Sequence, residues 1–151
     1  MQLYLMRHGK ANPEEVDPEQ GLSEGGKEGV KKLAEELKKQ GTILDLILVS
    51  SKKRSKQTGE IVAEQLGLSK DKIQKTDMIN PNTEPQQTID FLKTLTKNSV
   101  LIAGHLPLVE KIANYFLGVN GSIAFHNATC CLIDINTFES GHAALIWTKS
   151  P

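Results

Sequence analysis

The feature that most constrains this chain is a recurring pair: a short apolar run without polar alternation, followed by a segment of helical periodicity. A strand with one face in water alternates apolar and polar residues, so a run apolar at every position belongs to a strand covered on both faces. Four such runs stand out, Leu3 to Met6, Leu44 to Val49, Val100 to Ala103 and Cys130 to Ile135, and Ala143 to Trp147 follows a turn at Ser140-Gly141 as a fifth. Ser23 suits the N-cap of a helix that carries Val30, Leu33, Ala34 and Leu37 on one face and is ended by Gly41. A second helix is predicted over about Arg54 to Leu66, with Ile61, Val62 and Leu66 inward and Gly67 as its stop. A third begins near Pro85 and buries Ile89, Leu92 and Leu95, and a fourth follows Pro107 and buries Leu108, Ile112 and Phe116. The class is α/β.

With 151 residues and no linker, repeat or low-complexity tract, one domain over residues 1–151 is expected. Eighteen basic and eighteen acidic residues cancel, so nothing global marks a nucleic-acid or anionic-membrane partner, and any anion must be caught locally. No apolar stretch reaches the length of a membrane span, and with Arg7-His8 so near the start no cleaved leader is expected. Cys130 and Cys131 are neighbours on a strand and point to opposite faces, which argues against a mutual disulfide and for a reducing cytoplasm.

Parallel strands open their loops on one edge, where ligands bind. The first run ends into Arg7-His8-Gly9, the second into Ser50-Ser51-Lys52-Lys53-Arg54, and the third into Gly104-His105. If these strands are parallel, Arg7, Arg54, His8 and His105 meet there. Arginine forks match phosphate oxygens, and a neutral histidine can attack phosphorus through one nitrogen while the other is held by a carbonyl. His8, in a tight turn after a buried strand, is the expected nucleophile; His105 is expected to donate to phosphoryl oxygens. Gly9 and Gly104 are expected to let the backbone approach the ligand. Residues 11–21 and 76–84, rich in Pro, Asn and acidic residues, read as loops near this site.

Leu5-Met6-Arg7-His8-Gly9 resembles the motif of the histidine phosphatase superfamily, which includes cofactor-dependent phosphoglycerate mutases and acid phosphatases. Leu22-Ser23-Glu24-Gly25-Gly26, the stretch from Ser50 through Thr58, and Gly104-His105-Leu106-Pro107 follow in that family's order. Two positions depart from its pattern, Ser51 for a common proline and Ser55 for a usual alanine, and neither removes a phosphate ligand. The resemblance implies a three-layer α/β/α sandwich with a mostly parallel central sheet, a phosphohistidine formed on His8, and a phosphate cradle of Arg7, Arg54 and His105. The short length and the run His105 to Val109 are similar to the SixA-type phosphohistidine phosphatases, whose substrate is a phosphorylated histidine on another protein, such as a histidine phosphotransfer domain.

A phosphate ester expels an alkoxide and needs a general acid; Glu84, before the third helix, is the candidate. Imidazole, with an ordinary pKa of about 6.5, leaves with less help, so a poorly defined acid favours a P–N bond. The alternatives are a small-molecule phosphomonoesterase or phosphoramidase of the same superfamily and a catalytically slow phosphate-binding module. His126 and His142 read as ordinary surface or half-buried residues, with the pocket rim as the alternative for His126; Lys10, Lys52 and Lys53 are expected to raise local potential, and Ser50 and Ser51 read as turn residues. No metal-ligand spacing appears, and neither metal nor cofactor is expected.

Overall fold

The computed structural model describes residues 1–121 and 123–151. Its elements in chain order are β1 (Gln2–Arg7), α1 (Glu24–Lys39), β2 (Leu46–Val49), α2 (Lys53–Gln65), β3 (Ile73–Lys75), α3 (Pro85–Thr94), β4 (Ser99–Gly104), α4 (Leu108–Leu117), β5 (Cys130–Asp134) and β6 (Ala144–Lys149). The strands form one sheet in the order β3-β2-β4-β1-β5-β6. β1, β4, β2 and β3 run parallel, whereas β5 is antiparallel to β1 and β6 to β5. The sheet is mostly parallel, as expected.

Both faces are covered. Leu3, Leu5, Leu48, Val100 and Ile102 pack with Ile89, Leu92 and Ile112 of α3 and α4, while Tyr4, Met6, Val49, Leu101 and Ala103 pack with Val30, Leu33 and Val62 of α1 and α2. Successive residues of one strand thus belong to different cores, the physical reason the runs show no alternation. Cys130 and Cys131 follow the same rule: both are free and buried, one in each core.

Local signals act as read. The Ser23 hydroxyl accepts from the Gly26 amide at 2.9 Å, and Gly41 and Gly67 lie just past α1 and α2 with φ of 70° and 67°. Three details differ. β3 was not expected; with three half-buried or exposed residues at the sheet edge it carries too little apolar pattern to be legible. The inward face of α2 consists of Ser55, Thr58, Gly59, Val62 and Ala63, with Ile61 and Leu66 only partly buried at its margin. Leu95 is likewise partly buried, at the end of α3. No helix of the described residues is long and apolar enough to cross a membrane.

Candidate active site

The parallel register aligns Arg7 with Gly104 and Val49 with Ala103, so the ends of β1, β4 and β2 open on one edge. His8 follows β1 directly, anchored by its amide to the Gly104 carbonyl at 2.9 Å and by its carbonyl to the Ala128 amide at 3.1 Å. His105 follows β4, and the two imidazole centroids are 5.2 Å apart with planes at 56°.

His8 Nδ1 lies 2.6 Å from the Gly9 carbonyl oxygen. A carbonyl only accepts, so Nδ1 carries the hydrogen and Nε2 keeps its lone pair. Burial is the largest cause lowering the His8 pKa from 6.5 to about 4; Arg54 and Arg7 lower it further, against the raising effect of the Gly9 carbonyl. The pKa of His105, 2% exposed, falls to about 3, chiefly by burial and then through His8, Arg54 and Lys52.

His105 Nε2 sits 2.7 Å from Ser50 Oγ. That oxygen also accepts from the Lys52 amide at 3.2 Å. If the Ser50 hydroxyl donates to Nε2, its hydrogen and its oxygen are both used, and His105 carries its own hydrogen on Nδ1. Ser50 is therefore more than a turn residue. Sequence reasoning missed this because the histidine lies 55 positions away. Ser51 does sit in the turn, donating its amide to Asn80 Oδ1 at 3.3 Å.

Arg7 donates through Nη1 to the Phe125 carbonyl at 3.1 Å. Its Nε and His105 Nδ1 are buried without a hydrogen-bond partner among the described residues. Arg54 belongs to the first turn of α2, forms no ion pair among the described residues, and has its pKa lowered by burial. Thr58 ties that turn to the loop after β1 that carries His8: its Oγ1 donates to the Arg54 carbonyl at 2.8 Å and accepts from the Gly9 amide at 3.1 Å. Ser55 has a structural task, donating to the Ala103 carbonyl at 2.6 Å while accepting from the Ser50 amide at 2.8 Å, so it clamps β2 to β4 at the site.

The glycines serve packing. A Cβ on Gly9 would stand 2.6 Å from Val30 Cγ2 and one on Gly104 2.7 Å from Val109 Cγ1, so helices α1 and α4, not a ligand, require them. Lys53 is neutralised by Asp17 at 3.1 Å and Glu19 at 3.7 Å, pinning the 11–21 loop to α2 instead of raising potential. Lys10 and Lys52 are exposed. Glu84 is exposed at the start of α3, where its side chain makes no capping bond. A cavity of about 600 Å³ beside Arg54 is lined instead by Asn80, Asn82, Thr83 and Gln87, together with Ser51 and Lys52. His126 is exposed next to Phe125, and His142 is exposed and 3.8 Å from Glu139. No group of three or more His, Cys, Asp or Glu among the described residues is arranged to hold a metal ion.

Residues 3–79 match the family model of the histidine phosphatase superfamily, branch 1. The chain is 28% identical to the phosphohistidine phosphatase SixA of Escherichia coli (strain K12), over 100% of this chain and 94% of that protein. The structure of the protein histidine phosphatase SixA complexed with tungstate superposes with a TM-score of 0.89 at 27% identity, covering 100% of this chain and 97% of that one. A mycobacterial glucosyl-3-phosphoglycerate phosphatase in complex with VO3 shares the fold, with a TM-score of 0.75 at 15% identity over 99% of both chains. A family model matched over half the chain, on the segment that carries Arg7, His8 and Arg54, establishes that this protein belongs to the histidine phosphatase superfamily.

Proposed function

We propose that the protein is a phosphohistidine phosphatase in which His8 attacks the phosphoryl group and carries it for one step. The observation that carries this reading is the pairing of an attacking nitrogen with two waiting donors. His8 Nε2 has a free lone pair on a ring kept neutral by burial, and Arg7 Nε and, with Ser50 donating to Nε2, His105 Nδ1 are buried N–H groups with no partner among the described residues. Orphaned buried donors are costly, and a phosphoryl oxygen satisfies each of them. Arg54 supplies the remaining positive charge from the first turn of α2.

Nε2 of His8 forms an N–P bond as the substrate's P–N bond breaks, and the departing imidazole leaves protonated, its ordinary pKa of about 6.5 being close to neutral. Water then attacks phosphorus as the bond to His8 breaks, both of the water's protons leave on dihydrogen phosphate, and His8 is returned neutral with its hydrogen still on Nδ1. A P–N substrate accords with the cleft that Arg54 lines, since that lining holds no carboxylate to serve as a general acid and Glu84 is not part of it. The SixA of Escherichia coli, alike over the whole length of this chain, is named a phosphohistidine phosphatase, which favours a phosphorylated histidine of a protein as substrate. The two free buried thiols accord with a cytoplasmic location.

Trapping tests the assignment. A histidine-phosphorylated phosphotransfer domain mixed with the protein in the presence of chelator, then quenched in base, should leave acid-labile, base-stable phosphate on His8. His8→Ala should remove that label and slow turnover by about 10³-fold or more. Tight phosphate binding with no phosphoenzyme would make the chain a binding module instead.

A further inference from the structure

A basic groove runs away from the catalytic edge toward the β3 side of the sheet. It starts at Ser50 and Ser51, and its outer wall carries Lys56, Lys70 and Lys75, with Glu60 as the one carboxylate lining it. Lys56 also lines the neighbouring groove that contains Arg54, so the two run together. These three lysines are exposed, and none pairs with a carboxylate among the described residues, in contrast to Lys53, which Asp17 and Glu19 hold.

Distance decides what such a surface can touch. Lys75 ends β3, and β3 is separated from β1, which delivers His8, by β2 and β4. Three strand spacings are about 14 Å, beyond the reach of any small phosphoramidate bound at His8. A protein partner burying about 800 Å² of this surface covers a disc of about 16 Å radius, which reaches the mouth of the groove at Lys75. In a chain of zero net charge, positive residues gathered beside the site steer and orient a complementary partner without holding every anion in the cell.

We propose that the groove lined by Lys56, Lys70 and Lys75 docks an acidic surface of the phosphohistidine protein, beside the phosphorylated residue. This rests on the phosphohistidine phosphatase reading and adds the chemistry by which the protein substrate is chosen over a small one.

The test compares the wild type with the triple variant Lys56→Glu, Lys70→Glu, Lys75→Glu on two probes, a histidine-phosphorylated phosphotransfer domain with acidic residues around its histidine and free N-phosphohistidine. The variant should lose about ten-fold or more in kcat/KM on the domain at low salt, with kcat unchanged, and the deficit should shrink as salt rises. Turnover of free phosphohistidine should match the wild type, and the triple Gln variant should fall between the two. Polyglutamate should compete with the domain for the wild type but not for the Glu variant. Unchanged kcat/KM on the domain, a parallel loss on free phosphohistidine, or competition by RNA but not by polyglutamate would overturn the docking surface. A wild type active on phosphoesters but on neither phosphohistidine probe would overturn the functional reading together with it.

Discussion

Burial sets the protonation of both histidines, pushing His8 down to about 4 and His105 down to about 3 from 6.5, with Arg54 lowering both further. A nucleophilic histidine must be neutral, so the sign is favourable: His8 keeps its lone pair down to about pH 4. The acid limb of kcat/KM on a phosphoramidate, corrected at each pH for uncatalysed hydrolysis and for the substrate's own ionisation, reports the free enzyme and is therefore expected near 4. A limb at 6.5 would show that the ring is not desolvated in solution. Stability follows the same groups. The unfolded chain binds more protons than the folded one between pH 6.5 and the lowered values. The contribution is thus complete above 6.5 and is lost as pH falls toward 4 and 3, which a urea midpoint measured across that range should follow. At this scale the proposed reactive residues were legible in Arg7-His8-Gly9 and Gly104-His105. The carbonyl that holds Nδ1 belongs to Gly9, the very next residue, so that bond too is local.

Helix α2 shows how an element serves the site. Its first turns present Ser55, Thr58 and Gly59 inward where a core helix would present large apolar residues, because this face must lie close to two strand ends and hydrogen-bond them. The apolar pattern therefore starts late, and an inward Ile61 was the natural but imperfect expectation. Helix α4 illustrates the same economy of space, packing so closely on β4 that Gly104 has no room for a methyl group beside Val109. Gly104→Ala should cost about 1–3 kcal/mol in urea unfolding, since the clash lies in a buried core. Val109 is fully buried and is the first atom the new methyl would meet, so in the double variant with Val109→Ala the loss should be smaller than the sum of the single losses. Simple additivity would show that the tight spot is elsewhere.

On the scale of the whole molecule, the strand order β3-β2-β4-β1 brings residues 7, 8, 54 and 105 to one edge. The loops that border this edge are pinned, one by Lys53 on Asp17 and the other by Asn80 accepting from Ser51. Glu84 sits on the second of these, exposed and outside the cleft lining. Glu84→Gln should accordingly leave dephosphorylation of a phosphohistidine protein within about two-fold of wild type, the usual scale of a surface change. A loss of ten-fold or more would establish it as the acid and return a phosphoester substrate to consideration. By itself the sequence determined the class of fold, the helix caps and the strand-end residues proposed to do the chemistry, because strands covered on both faces, caps and strand-end motifs are written in neighbouring positions. Only the tertiary structure decided that Ser50 orients His105, that Thr58 joins Arg54 to Gly9, that Phe125 holds Arg7, and that the glycines make room for helices. Those pairings depend on how closely separate elements pack, and spacing along the chain does not encode a distance across the sheet.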